Sequence, residues 1–179
     1  MFLRSVARPT EADVQALADF PASFTTDTVY AVDVSATGFT LVEQPVAPPL
    51  HKRYDLVAAY RDGDPRWDVL LLAEDSGRTV GVAATTCHPW NARQVLDEIH
   101  VAPDLRRQGV ARALLAEVVG IARRNGAREV WAETQNVNVP AVRAYRRLGF
   151  RLSGLDTTLY PGPTDETALF LSLPVAPSG

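Results

Sequence analysis

Cysteine is almost missing from this chain. Cys87 is the single one among 179 residues, so no internal disulfide can form and a cysteine metal cluster is excluded. Nothing around Cys87 argues for a depressed thiol pKa, and it reads as a small strand residue. His51, His88 and His100 are too scattered to make a metal set, so no metal is expected. Lysine is as scarce: Lys52 stands alone, and positive charge rests on arginines interleaved with Asp and Glu. With a net charge of -3, the basic footprint of a nucleic-acid binder is lacking. No run of about 18 apolar residues occurs, which excludes a membrane-spanning helix. The opening Met1-Phe2-Leu3-Arg4-Ser5-Val6 has no long apolar stretch, and Glu11 and Asp13 follow, so no secretory signal is read. These absences predict a cytoplasmic protein with neither nucleic acid nor membrane as partner.

What remains is the composition of a soluble globule, 46% hydrophobic and 22% charged, long enough to bury roughly 70% of its unfolded surface. A single domain over 1–179 is expected. Residues 1–60 are the least readable part. Thr10-Glu11-Ala12-Asp13 looks like a capped start for a helix through Ala18. Thr28–Val34 and Gly38–Val42 are strand-prone around a Ser35-Ala36-Thr37 turn. Pro45, Pro48 and Pro49 are expected to break any element that follows. The core, 69–173, is clearer. Val69–Ala73, the turn Glu74-Asp75-Ser76-Gly77 and the β-prone Thr79–Thr86 form a hairpin signature. A loop at His88-Pro89-Trp90-Asn91 leads to a strand over Val95–Val101. From Gly109 to Asn125 the apolar residues Val110, Leu114, Val118 and Ile121 recur at helical spacing, with Asn125-Gly126 as the stop. Val130–Thr134 is a strand, Asn138 caps a second helix carrying Val142, Tyr145 and Leu148, and Phe150–Leu155 and Thr167–Leu173 are strands. The order β-β-β-α-β-α-β-β predicts an α/β protein with a mixed sheet. Residues 174–179 are expected to be a flexible tail.

The stretch with chemistry in it joins strand 95–101 to the first long helix through Pro103-Asp104-Leu105-Arg106-Arg107-Gln108-Gly109-Val110-Ala111. A helix start offers backbone N–H groups without partners and a positive dipole end. Gly109 lets the backbone approach a ligand, Ala111 keeps the first turn slim, and Arg106 and Arg107 add charge. Together they make a pyrophosphate cradle. A basic loop before an ordinary amphipathic helix fits the same local pattern, and both readings stand at this point.

Arg106-x-x-Gly109-x-Ala111 resembles the R/Q-x-x-G-x-G/A acetyl-CoA signature of the GNAT N-acetyltransferase superfamily. Asn138-x-x-Ala141-x-x-x-Tyr145-x-x-x-Gly149-Phe150 resembles that family's N-x-x-A-x-x-x-Y-x-x-x-G-F element. Arg107 stands where a glycine is common in this loop. A narrower resemblance is to streptothricin acetyltransferases, carried by Trp90-Asn91, Leu96-Asp97-Glu98-Ile99, Glu133-Thr134-Gln135-Asn136-Val137-Asn138 and Gly154-Leu155-Asp156-Thr157-Thr158-Leu159-Tyr160. Asn136 replaces an Asp of that pattern. The resemblance implies a GNAT-like single domain with a central sheet of about six to seven strands flanked by helices, and acetyl transfer from acetyl-CoA to a primary amine.

It also implies site residues. Arg106, Arg107, Gln108, Gly109, Val110, Ala111 and Arg112 would hold the pyrophosphate, with Asn138 and Ala141 on the cofactor as well. The backbone of Ile99, His100 and Val101 would pair with the pantetheine and, through a bulge there, free an N–H for the thioester oxygen. Tyr145 would be the general acid for the departing thiolate; without the resemblance it reads as a core aromatic. An ammonium acceptor must lose a proton, and Asp97 and Glu98 are the candidate bases. Regular alternation puts Val95, Asp97, Ile99 and Val101 on one face and Leu96, Glu98 and His100 on the other. That makes Asp97 a charge among apolar neighbours and the preferred base, with Glu98 retained; either carboxylate could instead simply pair with an arginine. Trp90, Asp97, Glu133, Asp156 and Tyr160 could line a pocket for a cationic acceptor, though each also reads as core or rim. The expected substrate is a small cationic amine of streptothricin type. A protein N-terminus, a polyamine or an aminoglycoside is the alternative acceptor, and a non-catalytic acyl-CoA-binding module the alternative class. The resemblance leaves room for a homodimer.

Overall fold

The computed structural model describes residues 1–58, 66–160 and 166–176. The chain divides into two compact units, one of Met1–Ala22, Arg53–Trp131 and Pro174–Gly179, the other of Ser23–Lys52 and Ala132–Leu173.

The first unit is built on strands β1 (Phe2–Val6), β4 (Val69–Asp75), β5 (Arg78–His88) and β6 (Arg93–Val101), adjacent in that order, with the start of β7 (Glu129–Gln135). Strand β1 was not legible in the sequence. It is a short segment held by antiparallel pairing to β4, Phe2 opposite Glu74 through Val6 opposite Leu70. The β4–β5 turn is only Ser76-Gly77, at φ 50° and 78°, the two positive angles of a type I′ turn that suits the twist of a hairpin. Strand β4 is apolar at successive positions because both of its faces are covered. Leu70 and Leu72 join Val82, Ala84, Leu17 and Phe20 in one cluster. Leu17 and Phe20 come from helix α1 (Glu11–Asp19) and its C-terminal end, and the helix starts with the predicted cap: Thr10 and Asp13 bond each other's backbone in a capping box. On the other face lies helix α2 (Val110–Arg124), with Leu114 and Val118 fully buried, each such side chain contributing about 1.5–3 kcal/mol. A Cβ on Gly81 of β5 would stand 2.7 Å from Val110 Cγ1, so this glycine is what lets the helix approach.

The second unit contains the hairpin β2 (Ser23–Ser35) and β3 (Gly38–Arg53), which forms its own two-stranded sheet. The expected break at Pro45, Pro48 and Pro49 is corrected here: β3 runs through all three. Each strand of a two-stranded sheet has an outer edge where a missing N–H costs no ladder bond. The rest of the unit is most of β7, then helix α3 (Val139–Arg147), β8 (Arg151–Asp156) and β9 (Ala168–Pro174), with β9 between β7 and β8. Val139 and Val142 pack with Tyr30 and Leu169. Asn136 ties three segments together. Its Nδ2 donates to the Tyr30 carbonyl at 2.8 Å, its Oδ1 accepts from the Thr167 N–H at 2.8 Å, and its backbone bonds to both residues. A carboxylate has no donor for the first of these bonds, which gives a physical reason for Asn at a position where Asp stands in the resembled pattern.

The class is mixed α/β, with four strands and then three in the two orders above, as expected. Pro174 closes β9, and Val175 is buried with its N–H on the Arg128 carbonyl at 2.9 Å, so the flexible tail expected over 174–179 is corrected for these two residues; residues 177–179 lie outside those described. Among the described residues no helix is long and apolar enough to cross a membrane.

Candidate active site

The loop after β6 is shaped by its backbone. Ala102 is fully buried, and its N–H donates to the Val80 carbonyl at 3.0 Å. Pro103–Leu105 make one 3-10 turn, fixed from β5 by a two-pronged Arg78–Asp104 pair at 2.7 and 3.0 Å. Gln108 Nε2 donates to the Asp104 carbonyl at 3.1 Å, and Arg106 Nε to the Val101 carbonyl at 3.2 Å. Arg107 and Gly109 both lie in the left-handed region, at φ 64° and 90°. This explains why a glycine is common at position 107: Arg pays a steric cost there that glycine does not. Gly109 caps α2, and a Cβ on it would meet nothing within 4 Å. The space beside the helix start is open, and a helix start presents unpaired N–H groups. These residues fit a pyrophosphate. Val110 can take part only through its backbone, because its side chain is buried under Gly81.

Strand β6 is irregular where the chemistry is expected. Against β5, Val101 faces Gly81, His100 faces Val82, Ile99 faces Ala83 and Glu98 faces Ala84; then Leu96 faces Thr85 and Val95 faces Thr86. Asp97 has no residue opposite it on β5 and is the extra residue of a bulge against that strand. Residues directly opposite one another share a face, so Glu98 and His100 lie with Val82 and Ala84, while Leu96, Ile99 and Val101 lie with the residues that face α2. The Asp97 carboxylate accepts from Thr86 Oγ1 at 2.7 Å, and Thr86 is in phase with Ala84. Both carboxylates therefore share one face. The regular alternation expected for β6 is corrected: Ile99 and Val101 part from Asp97, and Glu98 and His100 join it. The bulge expected near Ile99 to Val101 sits two residues earlier. Crowding by protein atoms raises the Asp97 pKa, the Thr86 hydroxyl opposes this, Glu98 and Asp68 add repulsion, and the result is about 6. Asp97 keeps an exposed surface, so water screens part of this rise. Neither carboxylate is paired with an arginine among the described residues. Asp97 has Thr86, and Glu98 Oε2 has His100 Nε2 at 2.6 Å.

Sequence reasoning missed Thr86 and Tyr54. Thr86 is one threonine in a β-prone run and Tyr54 follows β3, so neither carries a local signal. The Tyr54 ring lies 5.4 Å from that of His100. Beside the bulge a chain of hydrogen bonds runs from the exposed Asn125 to the buried Gln94 and Thr85: Asn125 Nδ2 donates to Gln94 Oε1 at 2.9 Å, Gln94 Nε2 to Thr85 Oγ1 at 2.9 Å, and Thr85 Oγ1 to the Val95 carbonyl at 2.6 Å.

Trp90 lies in the short turn between β5 and β6, at the opposite end of β6 from the cradle loop, and is 84% exposed. It has no core role. In the second unit, Tyr160 donates its hydroxyl to Glu133; burial and that carboxylate push the phenol pKa up. Asp156 does not join them through any described bond. It accepts from the Thr158 N–H at 2.7 Å and hydroxyl at 2.8 Å, which hold its pKa down. Asn138 caps α3 through the Ala141 N–H at 3.1 Å. Tyr145 is buried, with its ring edge-on to Phe150 at 5.1 Å, the packing of a core aromatic.

The acetyltransferase (GNAT) family matches residues 37–150. Streptothricin acetyltransferase of Streptomyces lavendulae is 40% identical over 178 residues, 94% of this chain and 92% of that protein. Streptothricin acetyltransferase A of Bacillus subtilis is 29% identical over 137 residues, 74% of this chain and 78% of that protein. The crystal structure of nourseothricin acetyltransferase superposes with a TM-score of 0.80 at 38% identity, covering 97% of this chain and 99% of the other. A Bacillus anthracis protein solved in complex with acetyl coenzyme A shares the fold, with a TM-score of 0.79 at 23% identity over 97% of this chain and 98% of that one.

Proposed function

We propose an acceptor and a division of labour for a chain that belongs to the GNAT acetyltransferase family and is an acetyl-CoA-dependent N-acetyltransferase. The acceptor is a primary amine on a small cation of streptothricin type, and its acetylation confers antibiotic resistance in the cytoplasm. The observation that carries this reading is the bulge at Asp97, which turns two adjacent carboxylates onto one face, a pattern suited to a cation. The likeness to streptothricin acetyltransferases along nearly the whole chain supports it. The family match takes in residues of both units, which supports reading them as one acetyltransferase domain.

Acetyl-CoA, when bound, supplies an acetyl group on a thiol leaving group. The N–H groups of Gln108 to Ala111, with Arg106, Arg107 and Arg112, would hold its pyrophosphate, and Asn138 and Ala141 on α3 would be further cofactor residues. Backbone groups of Ile99, His100 and Val101 pair along the pantetheine. An acceptor ammonium with pKa of roughly 10 must lose a proton before it can attack. The Asp97 carboxylate takes that proton, directly or through a water, and Glu98 binds the cation beside it. The Tyr145 hydroxyl would supply the proton that the thiol leaving group needs. Trp90, Glu133, Asp156 and Tyr160 contact the rest of the acceptor.

A panel with acetyl-CoA tests the acceptor: streptothricin, a polyamine, an aminoglycoside and a peptide with a free N-terminus, read by mass. Streptothricin is expected to gain one acetyl group far faster than the others. Preferential modification of the peptide or polyamine would refute the acceptor, and failure of every amine to stimulate CoA release would leave a binding module. Tyr145→Phe keeps the ring against Phe150 and removes the hydroxyl. Turnover should fall roughly 10²–10⁴-fold with little change in acetyl-CoA affinity; near-normal turnover would return Tyr145 to the core.

A further inference from the structure

The bulge leaves the two carboxylates with different holders. Thr86, on β5, supports Asp97. Glu98 is supported from its own strand by His100, two residues on and on the same face, with Nε2 to Oε2 at 2.6 Å. An ionised carboxylate only accepts, so Nε2 carries the hydrogen of this bond. The imidazole is placed in turn. The Tyr54 ring lies against it, centroids 5.4 Å apart and planes tilted by 50°, and the Tyr54 N–H donates to the Ala22 carbonyl at 2.8 Å. From β5, the residues opposite His100 and Glu98 are the apolar Val82 and Ala84. The His100 side chain is 16% exposed, whereas that of Glu98 is 34% exposed. One carboxylate oxygen is thus fixed by a largely covered ring, while the Glu98 side chain keeps about a third of its surface exposed to a ligand.

We propose that His100 is a positioning residue for the acceptor: its imidazole, set by Tyr54, holds the Glu98 carboxylate beside Asp97 so that Glu98 can take the acceptor's cationic group. This rests on the reading above in which Glu98 binds that cation. Without the ring, the long glutamate side chain would have to be ordered by the ligand itself, which weakens binding of the acceptor more than it slows transfer once the acceptor is bound.

The test is steady-state kinetics with streptothricin and acetyl-CoA on His100→Phe, His100→Gln, Glu98→Gln and the double variant His100→Phe/Glu98→Gln. Phe keeps a ring for Tyr54 and removes the donor; Gln keeps an N–H donor at about the same reach. The acceptor KM should rise about tenfold in His100→Phe, a larger factor than any change in kcat or in the KM for acetyl-CoA, because the substitution alters the side chain that faces Glu98 and not the backbone assigned to the pantetheine. His100→Gln should recover most of that loss. The double variant should be no weaker than Glu98→Gln alone, because the two residues act as one unit. If His100→Phe does not fold, His100→Asn, whose amide falls short of Oε2, should show the same rise. Should Glu98→Gln raise the acceptor KM while the His100 variants do not, the role given to His100 is wrong and the reading of Glu98 survives. If Glu98→Gln leaves the acceptor KM unmoved, the reading of Glu98 fails and the proposal with it. A rise confined to the acetyl-CoA KM, or additive losses in the double variant, would also overturn the proposal.

Discussion

The loop at 102–109 and the strand β6 that feeds it hold their working groups in opposite ways. The loop is proposed to work mainly through its backbone, with its arginines adding charge. Two left-handed residues, Arg107 and Gly109, turn the chain into α2 and leave open space beside the helix start. In the proposed mechanism strand β6 offers backbone partners at Ile99, His100 and Val101 but meets the acceptor through side chains, which its bulge aims. One unpaired residue, Asp97, brings two carboxylates onto a single face. A backbone site is altered by adding a Cβ, whereas a side-chain site is altered by changing an atom and leaving the backbone as it is.

Substitutions in the two regions should therefore fail differently. The largest effect is expected for Asp97→Asn, which keeps size and removes the proton acceptor. Its turnover should drop roughly 10²–10⁴-fold while acetyl-CoA affinity, measured by calorimetry, stays near normal. Next is Gly109→Val, which strains a φ of 90° and fills the approach. Acetyl-CoA binding should weaken about tenfold or more in a protein that still folds; unchanged affinity would break the backbone account of the loop. Smaller still is Arg107→Gly, which relieves a left-handed non-glycine residue and should add about 1 kcal/mol of stability by denaturant unfolding. The same substitution removes a charge, so acetyl-CoA affinity should fall modestly, separating the conformational and electrostatic roles of that position. The smallest effect sharpens the other side. The Asp97 carboxyl holds its proton up to about 6 in the folded state, against an unfolded value of about 3.9. Over that window the folded state binds more protons, so its stability declines as pH rises through about 6. Asp97→Asn should thus melt slightly higher than the parent at pH 7, and the gap should close below about pH 4.

The same contrast sets what was legible before the structure. A backbone site leaves marks in composition, so Gly109, Ala111 and the arginines announce the loop, Thr10 and Asn138 announce helix starts, and Asn125-Gly126 announces a helix end. A bulge leaves none. Leu96-Asp97-Glu98-Ile99 reads equally well with or without an extra residue, and only pairing with β5 decides it, so the face assignment failed while both candidate carboxylates were named. Strand β1 escaped because its five residues are stabilised by β4 and have little pattern of their own. The prolines of β3 misled because their penalty depends on which edge of the sheet they occupy. Asn136 shows in the sequence only as the replacement of an Asp, whereas its amide supplies a donor to Tyr30 across a sequence distance no local pattern spans.

The central claim is that the bulge makes Asp97 the group whose ionisation gates acetyl transfer. The most direct test is the pH dependence of kcat/KM for streptothricin in the parent and in Asp97→Asn and Glu98→Gln. The account predicts that the parent loses activity as pH falls through about 6, that Asp97→Asn has no such limb, and that Glu98→Gln keeps it, displaced to lower pH because a neighbouring negative charge is gone. An acidic limb that persists unchanged in Asp97→Asn would contradict it.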